Sequence, residues 1–312
     1  MAEPDPAPVS SRRPTPGHRF QYLAYRTLLG VLRVIPERWA LGLGAGLGWF
    51  AGVVLGIRRG VVRRHLRHAF PTREAGWRRR TLGASFRHLG RESVATFLMG
   101  RMDRDEILRR TEVEGLETME AALEEGKGVI LVTGHFGNWE MGGAALAARE
   151  IPLDVVAQRQ RNPLFDADIT RTREKLGMRV VPRDKAPRQV LRALRMGRVV
   201  ALVADQNARR SELFVDFFGK KAATARGAAI FALRTGSPIF LGGCRRLDGP
   251  IARYGVTLSR VEFTPTGDQE EDVLRLTETH TRYLERVIRS SPEQYFWQHR
   301  RWKTRPPDER ER

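Results

Sequence analysis

His135 and Glu140 are the two side chains in this 312-residue sequence whose types and spacing best suit proton transfer. A neutral imidazole, with an unperturbed pKa of about 6.5, takes up a proton near neutral pH. A carboxylate on its other ring nitrogen fixes the tautomer and stabilises the cation that forms. Helical neighbours lie three and four residues apart, so a spacing of five needs a turn between the pair. The sequence supplies one. Residues 129–132 (Val-Ile-Leu-Val) are an uncharged, β-branched run, with Gly126 and Gly128 on one side and Gly134 and Gly137 on the other. His135 then stands just past the C-terminal end of a strand, where open α/β sheets place their ligands. Glu140 opens a small-residue segment, 142–148, that reads as a helix. Asn138 is placed to cap that helix, whose free N–H groups could support developing negative charge. The plainer reading is a structural histidine at a turn, with Glu140 favoured only by its place in the first helical turn. No second histidine lies at a ligand-like spacing from His135, which disfavours zinc, and no cofactor is expected.

Other candidates fall at the same sheet edge. Arg159 and Arg161 follow an expected strand at 154–157 and could hold a phosphate or carboxylate, or stand as solvated loop arginines. Asp205 and Gln206 end an expected strand at 199–204, as functional groups or as a turn cap. Phe217-Phe218-Gly219 reads as an acyl path or as a buried hairpin. Residues 295–303 mix aromatics with basic groups; an interfacial belt, a base-stacking platform and a segment closing the core all fit that composition.

The elements that must position these residues follow from periodicity. From Val113 onward strands and helices alternate, which means crossover connections and a largely parallel sheet covered by helices. Residues 1–17 are rich in Pro, Ser and Arg and are expected to be disordered, with no cleavable signal peptide. Residues 22–35 suit a helix at a membrane surface, with Arg26 and Arg33 on one face. Residues 39–57 carry no charge, are just long enough to cross a bilayer, and place Gly44, Gly48, Gly52 and Gly56 four apart. The arginines that follow (58, 59, 63, 64 and 67) are those of a cytoplasmic flank, and 58–110 reads as a helical collar. The expected division is a disordered 1–20, a membrane-associated helical segment with basic collar at 21–110, an α/β domain at 111–306, and a tail at 307–312.

Composition fits an anionic partner. Lys and Arg number 55 against 36 acids, for a net charge of +19. Cys244 is the single cysteine, which excludes an internal disulfide and fits a reducing compartment.

At residues 135–140 (His-Phe-Gly-Asn-Trp-Glu) the sequence resembles the lysophospholipid acyltransferase superfamily, whose signature is a histidine and an acid separated by four residues. The wider wording is narrower. Residues 133–140, Arg159 with Asn162-Pro163, Asp205-Gln206 with Phe217-Phe218-Gly219, and residues 297–306 together resemble the late acyltransferases of lipid A biosynthesis, over about residues 20–307. That resemblance implies a glycerolipid acyltransferase-like α/β fold with an N-terminal membrane-associated segment. It implies His135 as general base on an acceptor hydroxyl, Glu140 orienting it, and Arg159, Asp205, Gln206 and Asn138 placing the substrates. The donor would be an acyl thioester of acyl carrier protein or coenzyme A, and the acceptor a glycolipid. The setting would be the inner membrane with its lipids, the catalytic domain facing the cytoplasm, and no nucleic acid. The family's arginine commonly stands a fixed step before Asn-Pro. Here Gln158 occupies that step, so the role falls to Arg159 or Arg161, with Arg159 favoured. Other glycolipid or lysophospholipid acceptors are alternatives. So, from different classes, are a basic nucleic-acid-binding protein and a non-catalytic membrane scaffold.

Overall fold

The computed structural model describes residues 13–208 and 213–307. Most of residues 1–17, expected to be disordered, and the 308–312 tail lie outside that range. Pro16 and Gly17 instead open the first helix, α1 (Pro16–Val34), where Thr15 and His18 cap each other reciprocally.

Four further helices precede the first strand: α2 (Glu37–Trp49), α3 (Arg59–Ala69), α4 (Ala75–Met99) and α5 (Arg104–Arg110). The strand–helix alternation then runs β1 (Thr111–Glu114), α6 (Leu116–Glu124), β2 (Val129–Thr133), α7 (Trp139–Ala148), β3 (Leu153–Ala157), α8 (Pro163–Lys175), β4 (Arg179–Pro182), α9 (Ala186–Arg195) and β5 (Val199–Val203). A hairpin of β6 (Phe214–Phe217) and β7 (Lys220–Ala223) follows. The chain closes with α10 (Gly227–Thr235), β8 (Ile239–Arg246), β9 (Tyr254–Arg260) and the long α11 (Gln269–Ser290).

Seven strands form one sheet in the order β1-β9-β8-β2-β5-β3-β4, parallel throughout except for the antiparallel β8–β9 pair. β2 lies at its centre, and four of its five residues are buried, as the apolar run requires. Helices cover both faces. One core gathers Met141 and Leu146 of α7 with Leu131, Leu153 and Phe240 of the sheet. On the other face Val190 and Leu194 of α9, Ala229 of α10 and Leu276 of α11 meet Ile130 and Val200. The sequence reading missed β1, whose four residues alternate in burial.

The uncharged stretch 39–57 is not one straight segment. α2 stops at Trp49, a π-turn spans Phe50–Val54, and the chain then bends by 88° into α3. No single helix among the described residues is long and apolar enough to cross a membrane, although the bent pair Glu37–Val54 with Arg59–Ala69 has the length and composition together. The glycine stripe is spent inside the chain. A Cβ on Gly48 would sit 2.2 Å from the Phe86 carbonyl oxygen, and one on Gly44 2.6 Å from the Gly90 carbonyl oxygen, so α2 and α4 touch backbone to backbone. The small-residue spacing thus serves packing against α4 of the same chain. Gly56, at φ +73°, marks where the stretch turns.

Candidate active site

β2 delivers His135 two residues beyond its last residue, Thr133. β5 runs parallel beside it with Val203 opposite Thr133, and Asp205 stands two residues beyond Val203. The two parallel strand ends therefore present His135 and Asp205 at equal offsets, and the side chains meet. His135 Nδ1 lies 2.6 Å from Asp205 Oδ1, and the His135 backbone N–H donates to Asp205 Oδ2 at 2.9 Å. A carboxylate accepts only, so in the neutral ring Nδ1 carries the proton and Nε2 is the acceptor. The side-chain amide nitrogen of Gln206 stands 3.2 Å from that Nε2.

The turn after β2 is held tightly. Gly137 has φ +57°, and a Cβ there would come 1.7 Å from the Cys244 carbonyl oxygen, so only glycine fits. Asn138 caps α7, its Oδ1 accepting from the Met141 N–H at 3.0 Å. Its amide donates to Glu92 Oε2 at 3.0 Å, within a buried network that includes Arg246 and Tyr254. Asn138 is 2% exposed and its amide is committed, which makes it a brace for the turn.

Glu140 does not reach the His135 ring; the ring's carboxylate partner is Asp205. In the first turn of α7, Glu140 instead forms a forked pair with Arg173 of α8, at 2.9 and 2.5 Å, and accepts from Trp139 Nε1 at 3.2 Å. The Trp139 ring in turn meets the His135 ring edge-on at 4.6 Å. Both members of the Glu140–Arg173 pair are largely buried, so Glu140→Ala leaves a guanidinium uncompensated and should cost about 2–3 kcal/mol. Denaturant melts measure this. The double variant Glu140→Met, Arg173→Met should recover to within about 1 kcal/mol of the parent.

Burial alone would push the His135 imidazolium down. The Asp205 charge and hydrogen bond, with Glu140 behind, outweigh it and hold His135 above the ordinary histidine value. Burial would likewise raise Asp205, but His135, its hydrogen bonds and Arg301 bring Asp205 down to about 2. The two shifts describe one coupled ion-pairing site.

His135, Gln206 and Arg159 line a cavity of about 1320 Å³, larger than an ordinary small-molecule pocket. Leu131, Leu146, Leu153, Val155, Leu176 and Met178 give it a long apolar wall, while Arg33, Arg159, Arg161 and Arg183 add basic groups. Among the described residues neither Arg159 nor Arg161 makes an ion pair within the chain. Asn162-Pro163 is a helix start: Asn162 Oδ1 accepts from the Leu164 N–H at 3.0 Å and Pro163 fills the first position of α8. Phe217 and Phe218 do not line this cavity. They form the buried β6–β7 hairpin and stack with Trp297 and Trp302.

The C-terminal aromatic–basic block closes the core. Phe136 bridges to Tyr295, the Phe296 N–H donates to the His135 carbonyl at 3.0 Å, and Trp297 is wholly buried. Sequence reasoning missed this brace on the His135 turn, and missed Arg173. The only hint of either was an arginine-rich context.

Comparison with known proteins places the chain in a family. The model of the bacterial lipid A biosynthesis acyltransferases matches residues 14–304. The chain belongs to that family. As one of its acyltransferases, it is 30% identical over 267 residues to the lipid A biosynthesis lauroyltransferase of Escherichia coli K12, 85% of each chain. It is 28% identical over 270 residues to the palmitoleoyltransferase of the same organism, 86% of each. A phosphatidylinositol mannoside acyltransferase of Mycolicibacterium smegmatis is 29% identical over 240 residues, 74% of this chain and 77% of that one. The site thus sets an unprotonated ring nitrogen beside a cavity with an apolar wall.

Proposed function

We propose that the protein moves a fatty acyl group from a thioester, carried by acyl carrier protein or coenzyme A, to a hydroxyl of a lipid A precursor at the inner membrane's cytoplasmic face. The observation that carries this reading is His135 Nε2, left unprotonated by the Asp205 bond on Nδ1, at the wall of a large cavity with apolar lining. His135 takes the acceptor hydroxyl's proton as the oxygen attacks the thioester carbonyl. The tetrahedral oxyanion collapses, the C–S bond breaks, and the imidazolium returns its proton to the leaving thiolate. Gln206 is a neutral N–H donor beside the reacting groups, and Arg159 and Arg161 serve anionic headgroups. Catalysis then rests on positioning, with no acyl-enzyme. The names of the relatives support a lipid A acceptor. The mannoside acyltransferase likeness leaves another glycolipid as the second reading. The base-stacking reading loses its support, because Tyr295 and Trp297 are buried.

An exposed greasy face supports this setting. Phe20, Leu23, Val31 and Val34 of α1, with Trp39, Leu43, Leu47 and Phe50 of the α2 stretch, are all exposed, and Arg26, Arg33, Arg38, Arg58 and Arg59 stand among or beside them. Such a face suits lying in an anionic interface.

One assay tests both parts. On anionic vesicles bearing a lipid A precursor, purified protein with acyl carrier protein or coenzyme A thioester should add one acyl chain, read by mass spectrometry. Leu47→Glu with Phe50→Glu should lower vesicle sedimentation about tenfold or more. No mass gain with either donor rejects the transfer; unchanged sedimentation rejects the interfacial face.

A further inference from the structure

Asp205 adjoins a second cavity, of about 10 Å³, or one water molecule. Its walls include His280 and Thr281 of α11 and Arg301 of the C-terminal segment, but not His135. Arg301 is 2% exposed, with its guanidinium 5.4 Å from the Phe217 ring. Its terminal nitrogens donate to the Ala223 carbonyl at 2.6 Å and to the Thr224 hydroxyl. Among the described residues no carboxylate stands within ion-pair distance of it, and its buried Nε has no hydrogen-bond partner; nor has His280 Nε2. A guanidinium cannot shed its proton in a protein, so this is a permanent, buried and directly unpaired cation.

The other groups facing the His135–Asp205 pair carry no compensating charge. Burial drives His280 and His299 down to about 4, and His88, behind Gly137, also down. Burial and Asp205 push the Tyr295 hydroxyl up, so it stays neutral. Glu140 is matched by Arg173. Arg301 is the fixed charge left facing Asp205.

We infer that Arg301 is a positioning residue for the proton-transfer pair: its guanidinium, beside Asp205 across the small cavity, keeps that carboxylate ionised and His135 Nε2 unprotonated. The inference rests on His135 being the base, and its test is chosen to be independent of turnover. Diethyl pyrocarbonate modifies neutral imidazole, and peptide-level mass spectrometry reports the pH midpoint of His135 in the intact chain. Removing a nearby cation stabilises the imidazolium, so Arg301→Gln should raise that midpoint by about half a pH unit or more. Arg301→Lys, which keeps the charge but not the fork, should hold it within about 0.2 units of the parent while lowering the melting temperature. An unmoved midpoint in Arg301→Gln, or a displaced one in Arg301→Lys, overturns the inference. If the glutamine variant does not fold, the lysine variant carries the test alone. Acyl transfer that persists in His135→Ala would reject the base assignment yet leave this midpoint measurable.

Discussion

Replacing His135 with alanine should lower acyl transfer by about a thousandfold or more, the scale of a lost general base acting on a poor nucleophile. Two nearby imidazoles are otherwise placed. His299 Nε2 accepts from the Asn207 N–H, and His280 is buried behind Asp205. The side chain ends at the wall of an open cavity, so truncation leaves the sheet and α7 in place. Initial rates on vesicles, with a thermal melt beside them, measure the effect. A folded variant within tenfold of the parent would end the assignment of His135 as base.

Asp205→Asn is the second large effect, and it differs in kind. The neutral amide is nearly the same shape, yet it no longer demands a proton on Nδ1. The ring can then turn its lone pair toward residue 205 and its N–H toward the acceptor, the wrong tautomer for a base. A loss of about 10²- to 10⁴-fold is expected. The pH dependence should move as well. In the parent, His135 is held above its ordinary value, so activity is lost as pH falls through a midpoint higher than that of a free histidine. Without the Asp205 charge, burial dominates and the residual activity should persist to lower pH. A kcat/KM profile with an unmoved acid limb would separate Asp205 from the base. The same substitution at Glu140 should leave the tautomer in place and move the acid limb less, because Glu140 bonds to Arg173 and Trp139 and acts on the ring only as a second, weaker charge.

The strand, the turn and the capped helix around His135 were legible because each has a local signal: a β-branched run, flanking glycines, and an asparagine three residues before the N–H it binds. The mostly parallel sheet followed from alternation alone. The partner of the imidazole was not legible. Glu140 is near in sequence, but from the first turn of α7 its side chain reaches Arg173 of α8 instead of the ring. Asp205 is 70 residues away and arrives only because β5 pairs beside β2 in register, and strand order leaves no mark in a single sequence. The partner of the glycine stripe was illegible for a related reason. A small-residue face states that a backbone will come close, not whose backbone it is, and here α4 of the same chain fills that place. The C-terminal block was open to three readings because burial, which decides among them, is a property of the finished fold.

The glycine seam has a mechanical corollary. At Gly44, Gly48 and Gly90 the backbones of α2 and α4 meet directly; Glu92 of α4 then bonds to Asn138, three residues from the imidazole. Packing thus ties the exposed apolar face of the α2 stretch to the imidazole through α4, so a displacement of that face would be passed on to the ring.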